Sequence, residues 1–249
     1  MVVSMTRWVD KVAVVTGASA GIGREITKEL VKQGLKVVGV ARRVELIEAL
    51  AIEIKRYKGK LYPLKCDVMK EEDVENIFQW IKENLGPVHI MINNAGVFTN
   101  TNLIEGDVKL WKQVLDTNVL GLCIGTREAV KNMRANNIDG HIIHINSIGG
   151  HVVPYFYASN VYPASKHGVT ALTETLRREL TAKKLNIKIT SISPGIVRTD
   201  IMSNCNEELI ELFASSPALQ SEDVVDAVIY ALSTGPNVQV ILNRFKNVS

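Results

Sequence analysis

Short apolar runs recur along the chain, and longer segments between them return apolar positions every three or four residues. The runs are Lys11 to Thr16, Leu35 to Ala41, Lys60 to Lys65, Val88 to Asn93, His141 to Asn146 and Ile187 to Ser193, with Val238 to Leu242 as a last candidate. Such brief apolar stretches, several of them rich in β-branched residues, predict strands buried on both faces. The helical period predicts helices over Glu25 to Lys32, Val44 to Lys58, Glu71 to Leu85, Trp111 to Asn136, Tyr162 to Lys184 and Ser221 to about Ser233. Gly34 and Gly86-Pro87 punctuate these segments. Gly121 and Gly125 relax the interior of the longest helix, and Ser221-Glu222-Asp223 offers a hydroxyl and early carboxylates to the last one.

Strands alternating with helices throughout predict one doubly wound α/β domain with a mostly parallel sheet. No linker, repeat or low-complexity stretch interrupts residues 1–249. A cofactor half is expected to about residue 145 and a catalytic and substrate half from 146 onward.

Composition narrows the classes. With 46% hydrophobic and 22% charged residues the chain matches a soluble globular protein with a large core. The net charge of +3 is mild and scattered, and no basic stripe alternates with aromatics, which argues against nucleic-acid binding. Cys66, Cys123 and Cys205 lie far apart, so neither a disulfide framework nor a zinc site is expected, and a reducing compartment is. His89, His141, His144, His151 and His167 form no metal-spaced pair, so no metal is expected. The first residues lack the apolar core of a signal peptide, and no run is long enough to span a bilayer, so the expected location is cytoplasmic.

Chemistry concentrates at a few points. Gly17-x-x-x-Gly21-x-Gly23, with Ser19, Ala20 and Ile22 between the glycines, follows the first strand and opens a helix. Glycines there permit a tight turn, and helix N–H groups can face a pyrophosphate. The second strand ends in Ala41-Arg42-Arg43 with no acid before Glu45, which favours a 2′-phosphate and therefore NADP(H). Asp67, before Val68, either hydrogen-bonds an adenine amino group or caps the next helix. Asn94-Ala95-Gly96 ends the fourth strand with small groups that let a cofactor pass, or it is simply a turn.

Tyr162 and Lys166 stand four residues apart and share a helix face. An adjacent ammonium favours phenolate, so a lowered phenol pKa is expected. Ser147 closes an apolar run where its hydroxyl can hold a substrate oxygen. The alternative is an amphipathic helix carrying an ordinary tyrosine and lysine.

Together these residues resemble the short-chain dehydrogenase/reductase family. Thr16 to Gly23, Asn93-Asn94-Ala95-Gly96, Asn118, Ser147, Tyr162-x-x-x-Lys166 and Pro194-Gly195 fall in the family's order from about Lys11 to Asp200. The resemblance implies a seven-stranded Rossmann-type sheet and a homodimer or homotetramer. It makes Tyr162 the general acid/base, Lys166 the residue that lowers its pKa and holds the nicotinamide ribose, and Ser147 the group that orients the reacting oxygen. Asn118 would fix a water that links Lys166 to solvent, while Val197 and Thr199 would contact the nicotinamide carboxamide. Arg7-Trp8, Gly34 to Gly39 and Asn137 to Ile142 are similar to one branch, with insect farnesol dehydrogenase-like proteins and a vertebrate 17β-hydroxysteroid/carbonyl reductase. That branch implies an apolar alcohol/carbonyl substrate. Farnesol-like alcohols come first, a steroid or general carbonyl is the alternative, and a non-catalytic NADP(H)-binding regulator is a further one. The expected substrate wall includes Val152, Val153, Tyr155, Phe156, Met202 and Phe213, with His151 near the substrate. The interval from Ser147 to Tyr162 is about two residues longer than is usual in the family.

Overall fold

In the computed structural model, which describes residues 3–153, 159–203 and 205–245, the predicted alternation becomes one parallel sheet. Its strands are β1 (Val12–Thr16), β2 (Lys36–Ala41), β3 (Lys60–Lys65), β4 (Val88–Asn93), β5 (His141–Ile145), β6 (Lys188–Pro194) and β7 (Leu242–Phe245). They lie in the order β3-β2-β1-β4-β5-β6-β7. The order reverses between β1 and β4, so the chain leaves those two neighbours in opposite directions and opens a crevice at their carboxyl ends.

Alternate residues of one strand feed the two cores. Ala13 and Val15 join a cluster with Ile26, Leu30, Ile47 and Val228. Val12 and Val14 join a second cluster with Ile77, Phe78, Met133 and Leu180 on the other face. The helices packed on these faces are α1 (Gly21–Lys32), α2 (Val44–Glu53), α3 (Glu71–Asn84), α4 (Val108–Leu115), α5 (Leu122–Ala135), α6 (Tyr162–Ala182), α7 (Glu207–Ser215) and α8 (Ser221–Ser233). No helix among the described residues is long and apolar enough to cross a membrane.

Several boundaries differ from the sequence pattern for identifiable reasons. Helix α1 begins at Gly21, inside the glycine turn, and stops as predicted at Gly34, whose φ is +92°. Leu35 N–H bonds the Leu30 carbonyl and Gly34 N–H bonds that of Val31, the two bonds of a Schellman stop. The long helix from Trp111 to Asn136 is in fact α4 and α5, joined by a π-helical turn over Asp116–Gly121. Gly121 and Gly125 serve close approach there: a Cβ would meet Val68 at 2.9 Å and the Asn93 Oδ1 at 2.7 Å. Helix α8 is capped by the Gln220 side chain with Asp223, not by the Ser221 hydroxyl. The last strand lies beyond Val238, because the carbonyls of Val238 and Val240 accept from Lys188 and Thr190 before the ladder begins. Helix α7 was not anticipated from the apolar pattern. Its start is closed by Asn206, whose side chain accepts from Leu209 N–H.

Candidate active site

A cleft of about 960 Å³ opens at the carboxyl ends of the strands. On the β1 side it is built from the glycine turn. Gly17 and Gly21 take φ of +68° and +52°, the left-handed region that suits glycine. A Cβ on Gly17 would lie 2.9 Å from the Asn94 amide nitrogen, and one on Gly23 would overlap the Gly17 carbonyl. Ala20, the cap of α1, makes no side-chain cap bond, so N–H groups of the first turn have no side-chain partner there. Ser19, Ala20, Gly21, Ile22 and Gly23 all line the cleft. Uncapped N–H groups on a turn without side-chain bulk make a cradle that fits a pyrophosphate.

Thr16 holds this cradle to the next loop. Its hydroxyl accepts from the N–H groups of Asn94 and Ala95, both at 3.0 Å, and donates to the Ile92 carbonyl. Asn94 returns the favour with its side-chain amide, which donates to the Thr16 carbonyl at 2.8 Å. The sequence marked Thr16 only as part of a motif; its position as the last residue of a buried strand was the available signal. Thr16→Val keeps the shape and strands both N–H groups, so we expect a loss of about 2 kcal/mol in a denaturant titration.

At the ends of β2 and β3 the cleft is lined by Arg42, Arg43, Asp67 and Val68. Both arginines are exposed. The ion pairs among described residues engage Arg24, Arg127, Arg177 and Arg178, and not these two. Asp67 does not cap α3, whose cap residue Lys70 makes no side-chain cap bond; its Oδ1 closes a turn by accepting from Met69 N–H at 3.1 Å while it faces the cleft. Asn94, Ala95 and Gly96, with Pro194, Gly195, Val197 and Thr199, complete the cofactor-sized part of the lining.

Ser147, Tyr162 and Lys166 meet in the same cleft. Ser147 caps a 3-10 turn after β5 and accepts from Gly149 N–H at 3.0 Å. Its hydroxyl also bonds the Tyr162 phenol, which favours phenolate, but burial is the larger effect and pushes the phenol up to about 12. This corrects the expectation of a phenol lowered by the lysine. The Lys166 nitrogen lies 5.8 Å from the ring centroid and donates to the Ile145 carbonyl at 3.0 Å. Burial lowers the ammonium itself to about 8. Both charged forms are disfavoured by the same desolvation.

Asn118 stands behind this group, 2% exposed, in the π-helical turn. Its amide donates to the Val97 carbonyl and the Ser165 hydroxyl, and its Oδ1 accepts from Val97 N–H at 2.8 Å. A Cβ on Gly96 would come 3.5 Å from Asn118 and 3.9 Å from the Lys166 nitrogen, so these groups crowd one point.

The substrate side is apolar. Phe98, Met202 and Leu209 are buried together, with Tyr162, Cys205 and Phe213 packed against them. His151 is not brought to this wall. Its Nε2 lies 3.0 Å from the hydroxyl of Ser193, which is fully buried, and it is absent from the described cleft lining. Val152 and Val153 are exposed and also outside that lining. Tyr155 and Phe156 lie outside the described residues. The lining also includes Val97, Phe98 and Ile148, which periodicity could not assign to a site.

A phenol, a serine hydroxyl and a lysine beside a dinucleotide-sized cradle fit the needs of a hydride-transfer oxidoreductase. The family model described as short chain dehydrogenase matches residues 11–210, and the chain belongs to that family. It is 50% identical to "Farnesol dehydrogenase" of Aedes aegypti over 238 residues, covering 95% of each chain. It is 45% identical to "Dehydrogenase/reductase SDR family member 11" of Homo sapiens over 243 residues, covering 95% of this chain and 94% of the other. The solved closed form of serine dehydrogenase complexed with NADP+ superposes with a TM-score of 0.85 at 29% identity, over 94% of each chain. The protein is a short-chain-type oxidoreductase whose family binds a nicotinamide cofactor.

Proposed function

We propose that this chain is an NADP-dependent oxidoreductase that interconverts an apolar alcohol, with a farnesol-like isoprenoid favoured, and its aldehyde or ketone. The observation that carries this reading is the Tyr162 phenol, bonded to Ser147 on one side and packed on the other against the cluster of Phe98, Met202 and Leu209. A long carbon chain attached to a C–O group at the two hydroxyls would lie against that apolar wall. The name of the Aedes aegypti relative supports an isoprenoid alcohol.

The glycine cradle would hold the pyrophosphate, and Arg42 and Arg43 a 2′-phosphate; the acids among the described lining residues, Asp67 and Asp200, are not on β2. The NADP+ in the serine dehydrogenase structure supports the same choice. When bound, the nicotinamide supplies or accepts the hydride. Ser147 then donates to the reacting oxygen, and Tyr162 gives it a proton in reduction or removes one in oxidation. Lys166 contributes the ammonium behind the phenol, and Asn118 keeps the Val97 turn and Ser165 in place beside it. A homodimer or homotetramer in the cytoplasm belongs to the same proposal, and light scattering of the purified protein reads the assembly.

The test is a panel of terpenoid alcohols, steroids and small ketones, followed by NADPH absorbance in both directions. The expected result is turnover of apolar alcohols with NADP(H) preferred over NAD(H). Arg42→Ala should raise KM for NADP(H) about tenfold, through the loss of a charge-assisted phosphate contact, and leave NAD(H) kinetics unchanged. Equal or better use of NAD(H) by the natural chain refutes the cofactor assignment.

A further inference from the structure

Asn160 has a backbone φ of +45°, in the left-handed region that asparagine enters more readily than most side chains. From there its side chain reaches both the start of α6 and the turn after β4. Its Oδ1 accepts from the N–H groups of Val161 and Tyr162, at 2.6 and 3.2 Å, and so closes the start of α6. Its Nδ2 donates to the Thr99 carbonyl at 2.7 Å, a bond that spans 61 residues of sequence.

Thr99 follows Phe98, whose ring centroid lies 5.2 Å from that of Tyr162 with the planes tilted by 59°. Phe98 is 7% exposed and shares its cluster with Met202 and Leu209. On the other side of Phe98, Val97 is held through both its N–H and its carbonyl by Asn118. Asn118 thus pins the residue before Phe98 and Asn160 pins the residue after it. The segment between β4 and α4 has no regular structure at these positions, so the two amides supply the fixation that a strand or helix would otherwise provide.

We propose that Asn160 is a positioning residue that sets the width of the substrate slot, by strapping the Phe98 turn to the helix start that carries Tyr162. The role rests on the reading of Tyr162 and its apolar wall as the reaction centre. A long carbon chain must pass the Phe98 ring, whereas a small alcohol reaches the phenol without using it. Asn160 therefore selects for chain length without touching the reacting atoms.

Asn160→Asp separates the strap from the cap, because a carboxylate keeps the acceptor for Val161 and Tyr162 and loses the donor to Thr99. Farnesol and cyclohexanol serve as the long and small probes. Expected for N160D is a KM for farnesol raised about tenfold, the loss of one buried hydrogen bond, with KM for cyclohexanol and the Kd of NADPH each within about twofold. In a Phe98→Ala background the same substitution should add nothing, because the ring it positions is gone. Hydrogen exchange over residues 97–102 reads the strap with no substrate present. It should quicken about tenfold in N160D while exchange in α6 stays as it was. Asn160→Gly, which keeps the left-handed backbone, should show the same exchange change if N160D does not fold. Equal KM shifts for both alcohols, a full additional effect on top of Phe98→Ala, or unchanged exchange over 97–102 each overturn the proposal. If the natural chain oxidises neither alcohol, the functional reading fails, and the exchange result still decides the strap.

Discussion

Tyr162→Phe lowers kcat by about 10³-fold or more, within the range of a lost general acid/base, and leaves the Kd of NADPH within about twofold. The ring stays, so its packing against Phe98 at 5.2 Å is preserved and the slot keeps its wall. Only the hydroxyl leaves, and with it the bond to Ser147. The cofactor lining formed by Gly17, Arg42 and Asn94 is untouched. Stopped-flow NADPH fluorescence measures binding, and steady-state absorbance measures turnover. Retained turnover would remove the assigned acid/base. A matching loss of cofactor affinity would instead show that the substitution had disturbed the cleft as a whole.

The second large effect is on stability, and it appears below neutral pH. His141 and His144 are each 1% exposed on β5, and burial lowers both to about 3. Each also faces cations that push the same way, Lys188 and Arg7 for His141 and Lys166 for His144. His144 is spent on hydroxyls, with Thr173 at 2.9 Å and Thr126 at 3.2 Å, and His141 bonds Thr190 at 2.9 Å. The folded values lie below the ordinary 6.5, so the unfolded chain takes up protons that the native chain refuses. The histidines' contribution to stability is therefore full above about pH 6.5 and is lost as the pH drops from 6.5 toward 3. Each histidine contributes about 1.4 kcal/mol per pH unit across that window. Exposed carboxylates titrate mostly below about 4.5, so urea titrations between pH 6.5 and 5 isolate the histidines. His89, which burial also lowers, adds to the same slope, so His144→Gln should cut it by roughly a third, whatever it does to the plateau at pH 7.5. A slope unchanged by that substitution would show that His144 is not the proton acceptor.

The strand–helix alternation, and with it the doubly wound fold, was legible because it depends on local periodicity. The cradle was legible for the same reason, since Gly17, Gly21 and Gly23 follow one strand directly. All the residues predicted for the cofactor do line the cleft, including Pro194, Gly195, Val197 and Thr199. Tyr162 and Lys166 were separable from the other tyrosines by helix spacing alone. Other placements depend on partners distant in sequence. His151 sits within a few residues of Ser147, yet its ring bonds Ser193 on β6. Gly121 and Gly125 read as loosening a helix, yet they serve its approach to Val68 and Asn93.

Sequence alone determined most of the strands and helices, where the glycine turn falls, and which tyrosine has a lysine one helical turn away. These are consequences of neighbours a few residues apart. Tertiary structure alone decided the direction of the Tyr162 shift, because desolvation depends on what surrounds the ring and is larger than the effect of the Ser147 hydroxyl. It alone turned Asn118 and Asn160 into the two clamps on Val97 and Thr99. A hydrogen bond across 61 residues leaves no periodic trace in the chain, and such a bond holds the turn that carries Phe98.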